Sequence, residues 1–240
     1  MGTLRVVVAM SLAALVVDAT RSDAAPREHG RLAQLPPGAV ELQRYAGLHA
    51  AAARGDAPDI RRLLAQGANP DPRDGHGRTP LHVAAFHSHY DAVRALVQGG
   101  ADPNALDVQR YDIVTIAAVK DDVAMVKLAL VLGASPRNVT SPYDGTALIA
   151  AAHLGHDDVV GELIAARAPL DHVNNLGWTA LIEAVVLGDG GPRHVTTVRA
   201  LVEAGARIDL GDRQGRTPLV LARARGYSAM VAILERAAAR

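Results

Sequence analysis

Histidine is the residue type in this chain that first suggests chemistry, because imidazole nitrogens are common metal ligands. Four of the ten histidines lie within 14 residues, at His76, His82, His87 and His89. His82, however, recurs 33 residues earlier as His49, again after a leucine. A tetrahedral metal site needs ligands that converge on one point, whereas residues repeated at a fixed interval are spread along a ladder. We therefore predict neither a metal site nor a cofactor.

Other arrangements of catalytic residues are also missing from the sequence. The glycine-rich stretch Gly188-Asp189-Gly190-Gly191 lies between two helical patterns and does not follow a strand, so it matches a phosphate-binding loop poorly. No serine lies in a nucleophile-elbow pattern. The absence of cysteine excludes disulfides, thiol nucleophiles and cysteine-bound zinc. The sequence thus predicts a protein that is not an enzyme.

Glu183 is the second feature that could carry chemistry. It lies in an apolar helical stretch. The chain contains a repeated stretch, described below, and the residues at the same position in the other copies are all apolar: Ala50, Val83, Ile116, Ala150 and Leu221. Burying an unpaired carboxylate would cost several kcal/mol. We expect Glu183 to be hydrogen-bonded internally, by Trp178 or by the inserted loop at residues 189–194. The alternative is that Glu183 and this loop face a groove and form a small-ligand or enzyme-like site.

These residues are positioned by one stretch that recurs along the chain. Its fullest form is Gly77-Arg78-Thr79-Pro80-Leu81-His82-Val83-Ala84-Ala85. The apolar anchors of the successive copies are Leu48, Leu81, Val114, Leu148, Leu181 and Leu219, which gives intervals of 33, 33, 34, 33 and 38 residues. A nearly constant interval of this length predicts stacked repeats, each of which packs on its neighbours.

Each copy predicts two helices joined by a turn. Thr79 can cap the free amides of a first helical turn, and Pro80 suits that turn because it lacks an N–H. Seven residues after each anchor stands a glycine or small polar residue that ends the first helix: Gly55, Ser88, Asp121, Gly155, Gly188 and Gly226. A second apolar run follows with the spacing of one buried helix face, and a glycine such as Gly100 closes it.

A period of 33 residues built on Thr-Pro-Leu-His-x-Ala resembles the ankyrin repeat, and the resemblance covers roughly residues 39 to 240. It implies an all-α repeat solenoid of helix-turn-helix repeats with β-hairpin fingers along one edge. About six repeats, numbered one to six, are expected at residues 39–73, 74–106, 107–139, 140–173, 174–211 and 212–240. The resemblance further implies a monomeric adaptor or protective partner of another protein, similar to exported bacterial ankyrin-repeat proteins. It does not identify the partner.

Composition and the N-terminus limit the class of partner and the compartment. The 25 basic and 25 acidic residues cancel, so no basic excess favours nucleic acid. Arg5 precedes an apolar run from Val6 to Val17, which has the length of a secretory signal core and is too short to span a bilayer. We predict a signal peptide at residues 1–25 and a flexible lead-in at 26–38. The product would be periplasmic or secreted, without other membrane contact; a cytoplasmic protein is the alternative.

Departures from the repeat indicate where function lies. Repeat three lacks the Thr-Pro cap, so we expect it to open early. The fingers of repeats three to five are neighbours, because adjacent repeats stack about 8–10 Å apart. Their unusual residues predict a protein-binding surface of Arg110, Tyr111, Asp112, Tyr143, Asp144, Asn174, Asn175 and Trp178, with Glu183 as a further candidate. The alternative is that Tyr111 and Tyr143 only replace lost glycine and threonine contacts within the hairpins. The insertion at residues 189–193 lies at the opposite, inter-helix end, and we expect it to be flexible and to contribute little to binding.

Overall fold

The computed structural model describes Gln34 and residues 36–239. The predicted signal peptide, its cleavage site and most of the predicted lead-in lie outside the described residues. Within the described range the chain forms thirteen helices: α1 (Ala39–Arg44), α2 (Gly47–Arg54), α3 (Ala57–Ala65), α4 (Pro80–Phe86), α5 (Tyr90–Gln98), α6 (Ile113–Val119), α7 (Val123–Val131), α8 (Ala147–Leu154), α9 (Asp157–Ala165), α10 (Ala180–Val186), α11 (Pro192–Glu203), α12 (Pro218–Ala224) and α13 (Ser228–Ala238). None of these helices is long and apolar enough to cross a membrane.

After α1 the helices form six consecutive pairs, from α2 with α3 to α12 with α13. The first helices of neighbouring pairs pack on one another in the order α2, α4, α6, α8, α10 and α12. Second helices stack behind them, α3 on α5, α7 on α9, α9 on α11 and α11 on α13. Small side chains on the first helices, such as Ala84, Ala85 and Ala117, are fully buried, which lets these helices approach closely. The expected all-α repeat solenoid is confirmed.

Most first helices begin at a side-chain cap. The hydroxyls of Thr146, Thr179 and Thr217 each accept the N–H of the residue three positions later. In repeat three Asp112 takes this role and accepts the N–H of Thr115 at 2.8 Å. Aspartate caps a helix at least as well as threonine. Repeat three lacks Thr-Pro but keeps a helix cap, so the inference that its capping is lost is wrong and the reason to expect its early opening disappears.

A finger is the short turn before each first helix from α4 to α12: residues 74–78, 107–111, 140–145, 174–178 and 212–216. In every finger one side chain accepts two backbone N–H groups, two and four residues further on. The accepting residues are Asp74, Asp107, Ser141, Asn174 and Asp212. The β-hairpins implied by the resemblance are shorter than expected: the described residues contain one isolated β-bridge, between Thr140 and Gly145. A turn of five or six residues folded around its own side chain leaves no room for a longer ladder.

Adjacent repeats are joined where each first helix ends. The last carbonyls of a helix have no partner within it, and at four junctions a side chain of the following repeat donates to one of them. At the fifth junction Tyr227 donates to Gly188, just after the end of α10. The pairs are His89 with Ala53, Lys120 with Phe86, His156 with Ala118, His194 with His153 and Tyr227 with Gly188, at 3.1, 2.5, 2.8, 3.1 and 2.8 Å. At five successive junctions, therefore, one repeat completes the hydrogen bonding of the repeat before it.

The five-residue insertion moves one of these donors along the chain without changing its role. His89 and His156 lie eight residues after their anchors, whereas His194 lies thirteen residues after Leu181. Subtracting the insertion brings the three histidines into register. The turn also shifts into the insertion, because Gly190 and not Gly188 takes the left-handed conformation expected after the first helix.

The inserted loop is held by side-chain contacts. Arg193 donates to Asp157 and to Asp121, both at 2.8 Å, and so ties repeat five to repeats four and three. Asp189 and His194 are bonded to each other at 2.9 Å. These contacts contradict the expectation that the loop is flexible.

A second kind of link between repeats is made by His82, which has no exposed surface. Its Nδ1 accepts the N–H of Thr79 at 3.1 Å, and its Nε2 donates to the carbonyl of Tyr111 in the next finger at 3.0 Å. His49 makes the same contact with Arg78, at 2.9 Å. Burial lowers the pKa of His82 to about 4, so the ring is neutral at neutral pH.

Acid should therefore weaken the array through His82. A histidine in an unfolded chain has a pKa of 6.5, and His82 has a pKa of about 4 in the fold. Its contribution to stability is therefore complete above pH 6.5 and is lost as the pH falls towards 4. We expect the free energy of unfolding to drop by about 3 kcal/mol over this window. Urea denaturation at a series of pH values measures the drop. His82→Gln, which keeps a donor for Tyr111, should flatten the profile, and an equally steep profile in this variant would contradict the assignment.

Candidate interaction surface

Five of the nine predicted site residues have side chains at the surface of neighbouring fingers. Arg110 and Asn175 are exposed, and Tyr143, Asp144 and Trp178 are half-buried. Arg110 and Asp144 form an ion pair of 2.5 Å between the fingers of repeats three and four. The backbone N–H of Asn175 donates to the carbonyl of Tyr143 at 2.9 Å. These five residues thus lie on adjoining fingers.

Three predicted surface residues are buried instead: Tyr111, Asp112 and Asn174 are 2%, 1% and 5% exposed. Asp112 caps α6 and Asn174 closes its finger, so both use their polar atoms internally. Tyr111 packs into the core, where burial raises the pKa of its hydroxyl. The residue at the corresponding position of repeat two, Arg78, is buried as well. Placing these three side chains on an exposed surface was wrong, because each fills a structural position of the repeat.

Glu183 is also buried, with 4% of its surface exposed. Its Oε1 accepts a hydrogen bond from Asn174 Nδ2 at 2.9 Å, and its Oε2 accepts one from His153 Nδ1 at 3.0 Å. Internal pairing is confirmed, but the partners are neither Trp178 nor the inserted loop. Because both carboxylate oxygens are engaged, the alternative of a small-ligand site at Glu183 loses its free acceptor.

Four aliphatic side chains outside the predicted set are exposed in or next to the same fingers. Val108, Val139, Val173 and Leu176 are 65%, 36%, 49% and 38% exposed. The sequence-based prediction rested on aromatic residues and arginine, which are enriched in interface hot spots. It therefore missed these aliphatic residues in turns. The usable signal is their position, because turns are normally polar and an aliphatic turn residue needs a reason.

We give the name finger surface to nine exposed or half-buried residues in or next to these fingers: Val108, Arg110, Val139, Tyr143, Asp144, Val173, Asn175, Leu176 and Trp178. Its formal charges are those of Arg110 and Asp144, which neutralise each other. Backbone hydrogen bonds join its fingers, from Ser141 to Arg110 at 3.1 Å and from Asn175 to Tyr143 at 2.9 Å. The surface is therefore largely apolar and held in place before any partner arrives, which favours contact with another large surface.

One group of potential metal ligands occurs among the described residues, formed by Glu41, Asp74 and His76. The guanidinium of Arg78 lies against it and contacts Glu41 at 2.5 Å and Asp74 at 2.7 Å. Although burial raises the pKa of Asp74, hydrogen bonds from Tyr45 and Arg78 lower it to about 2. A cation already bridges both carboxylates, so this group is an ion-pair network around Arg78 and not a metal site.

Known proteins share this repeat geometry. The family model described as ankyrin repeats (3 copies) matches residues 32–107 and 114–212. The chain is 40% identical over 98 residues to the putative ankyrin repeat protein YahD of Escherichia coli (strain K12). These residues make up 40% of this chain and 49% of that protein, so the match spans about half the length of this curated relative. An ankyrin repeat domain from Acinetobacter baumannii AYE is 41% identical with a TM-score of 0.76, over 80% of this chain and 97% of that one. The ankyrin repeat protein EF0377 is 31% identical with a TM-score of 0.74, over 80% and 98% of the two chains.

The finger of repeat three contains a strained residue whose cost can be measured. Arg110 has a φ of 64°, where repeat two has Gly77. We expect Arg110→Gly to be more stable than Arg110→Ala by about 1 kcal/mol, because a left-handed conformation is costly for residues with a Cβ. Both variants lose the ion pair with Asp144, so their difference isolates the backbone. Urea denaturation gives this difference, and an alanine variant as stable as the glycine variant would show that Arg110 is not strained.

Proposed function

Because this chain belongs to the ankyrin-repeat family, we propose that it is a non-enzymatic adaptor that presents the finger surface of repeats three to five to a partner protein. Ankyrin repeats in general act in protein–protein interaction. The observation that carries the choice of surface is the grouping of exposed aliphatic side chains in or next to three adjacent fingers.

The grouping is what separates these residues from other exposed apolar residues. The remaining large apolar residues that are exposed among the described residues are scattered over separate helices: Val40, Tyr90, Val131 and Val220. Single apolar residues on a surface are ordinary, whereas a contiguous apolar patch is typical of an interaction site. This contrast supports the finger surface as the place where a partner binds.

The half-buried aromatic residues would add to the binding energy. Tyr143 and Trp178 are already half-buried, and Trp178 packs against the core, so little side-chain entropy is lost when a partner covers the rest. The ion pair of Arg110 and Asp144 is about half exposed on both sides and is expected to contribute less than about 1 kcal/mol. Most of the affinity is therefore assigned to the aliphatic and aromatic contacts.

Aspartate substitutions of exposed valines separate the finger surface from the rest of the array. Val108→Asp and Val173→Asp would each place an unpaired charge in the interface, and each should weaken binding by about 2 kcal/mol or more. Val131→Asp is the matched control, because Val131 is 81% exposed and lies on α7, outside the fingers. The partner would be captured with the wild-type chain, identified by mass spectrometry, purified and titrated with each variant by calorimetry.

The same experiment can contradict the proposal. Circular dichroism must show all three variants folded. If Val131→Asp abolishes binding while both finger variants bind normally, the partner uses the helical face. Trp178→Ala is a weaker test than its aromatic character suggests, because the half-buried ring also supports the finger and its loss lowers stability.

We also propose that the protein is exported and cleaved before Pro26. The support is the sequence alone: Arg5 precedes an uncharged apolar run, Val6 to Val17, that is shorter than a membrane span. N-terminal sequencing of protein isolated from the periplasmic or secreted fraction should find a new terminus before Pro26. An intact Met1 on that protein would contradict cleavage, and its confinement to the cytoplasm would favour the cytoplasmic alternative.

A further inference from the structure

The finger of repeat five, residues 174–178, differs from the other fingers in the side chain that holds it together. The corresponding residue is aspartate in the fingers of repeats two, three and six. Asn174 performs the same task, because its Oδ1 accepts the N–H groups of Leu176 and Trp178, both at 3.0 Å. Unlike aspartate, it also has a side-chain donor, and Nδ2 donates to Glu183 at 2.9 Å.

Glu183 connects this finger to two first helices. It belongs to α10, and its second carboxylate oxygen is bonded to His153 of α8 at 3.0 Å. We call Asn174, Glu183 and His153 the polar cluster. The side chains of Glu183 and His153 are 5% and 14% exposed, so the cluster lies beneath the surface. The carbonyl of His153 also accepts a bond from His194 of the inserted loop, which attaches the cluster to the inter-helix end of the repeat.

The finger residue and the residue at the Glu183 position vary together in four repeats, whereas repeat four has Ser141 with Ala150. Where the finger has aspartate, the helix position is apolar: Asp74 with Val83, Asp107 with Ile116 and Asp212 with Leu221. Repeat five changes both, to Asn174 and Glu183. Carboxylates at both positions would be 2.9 Å apart in a buried place, where like charges are strongly unfavourable. The asparagine and the glutamate therefore act as a pair.

We propose that the polar cluster positions the finger of repeat five, and with it Leu176 and Trp178, in the conformation that contacts the partner. Asn174, Glu183 and His153 are positioning residues, because they lie below the surface and act through the two side chains that reach it. This inference rests on the proposed function of the finger surface. The position of the finger itself can be measured without the partner.

An exchange of the paired groups tests the proposal. Asn174→Asp keeps both acceptors for the finger but sets a carboxylate against Glu183. The double variant Asn174→Asp with Glu183→Gln restores a donor and an acceptor in reversed order, at nearly the same volume. Trp178 is the only tryptophan of the chain, so its fluorescence reports on this finger. Hydrogen exchange of the Leu176 and Trp178 amides reports on the bonds that Asn174 makes.

The single variant should release the finger and the double variant should restore it. We expect exchange of the two amides to accelerate on the order of a hundredfold in Asn174→Asp, as when a buried charge loses its partner. Trp178 emission should shift to longer wavelength and iodide should quench it more strongly. The double variant should return all three readouts to wild-type values. If the single variant behaves like the wild type, or if the double variant fails to recover, the proposal is wrong.

Asp107→Asn is the matched control for the change of charge. It makes the reverse substitution in the finger of repeat three, where Ile116 stands at the Glu183 position. The amides of Gln109 and Tyr111, which bond to Asp107, should keep their protection. A large loss there would mean that any such change opens a finger, and the special pairing in repeat five would be refuted.

Titration of the purified partner separates this inference from the proposed function. If Asn174→Asp weakens binding and the double variant restores it, both stand. If the finger moves and recovers as expected while binding stays constant, the cluster positions a finger that the partner does not use. That outcome overturns the role of the polar cluster in binding and counts against the finger surface. If the finger does not move but Val108→Asp still abolishes binding, the finger surface stands and the positioning role fails.

Discussion

The unfilled carbonyls at the ends of very short helices are the constraint on which this structure depends. The first helices contain only seven or eight residues, and the last four carbonyls of any α-helix lack partners within it. The following repeat donates to one of these carbonyls from its own turn, as His89 does to Ala53 and His156 does to Ala118. In repeats one to four the hydrogen bonding at this helix end therefore includes a donor from the next repeat, and the stability of these helix pairs depends in part on their neighbours.

The helical framework could be predicted from the sequence because it is set by spacing. Apolar anchors at nearly constant intervals specify where each pair begins, and the predicted turn residues Gly55, Ser88 and Asp121 have the positive φ that ends a first helix. The chemical groups at the junctions were harder to foresee. Asp112 caps as threonine does, and Lys120 donates where other repeats use histidine, because a structural task can be filled by several residue types.

The candidate surface was only partly predictable, and the reason is burial. A residue that departs from a repeat can serve a partner or can replace a structural residue, and both look alike in a sequence. Tyr111 and Asn174 are buried and so belong to the second kind, whereas Asn175 is exposed. Helical periodicity predicts burial within helices, but turns have no such period. Val108 is 65% exposed although it lies against Gly77 of the finger of repeat two, and no period in the sequence distinguishes it from a buried turn residue.

Arg193 gives the array a mechanical property because its side chain bonds to two other repeats. When a solenoid is pulled from its ends, repeats can peel away one at a time, since each is held by its immediate neighbours. Arg193 bonds to Asp157 in the adjacent repeat and to Asp121, 72 residues away in the repeat beyond it. A force that pulls on repeat five is therefore opposed by the bond to repeat four and by the bond to repeat three. Tension that separates repeat five from repeat four must also break its hold on repeat three.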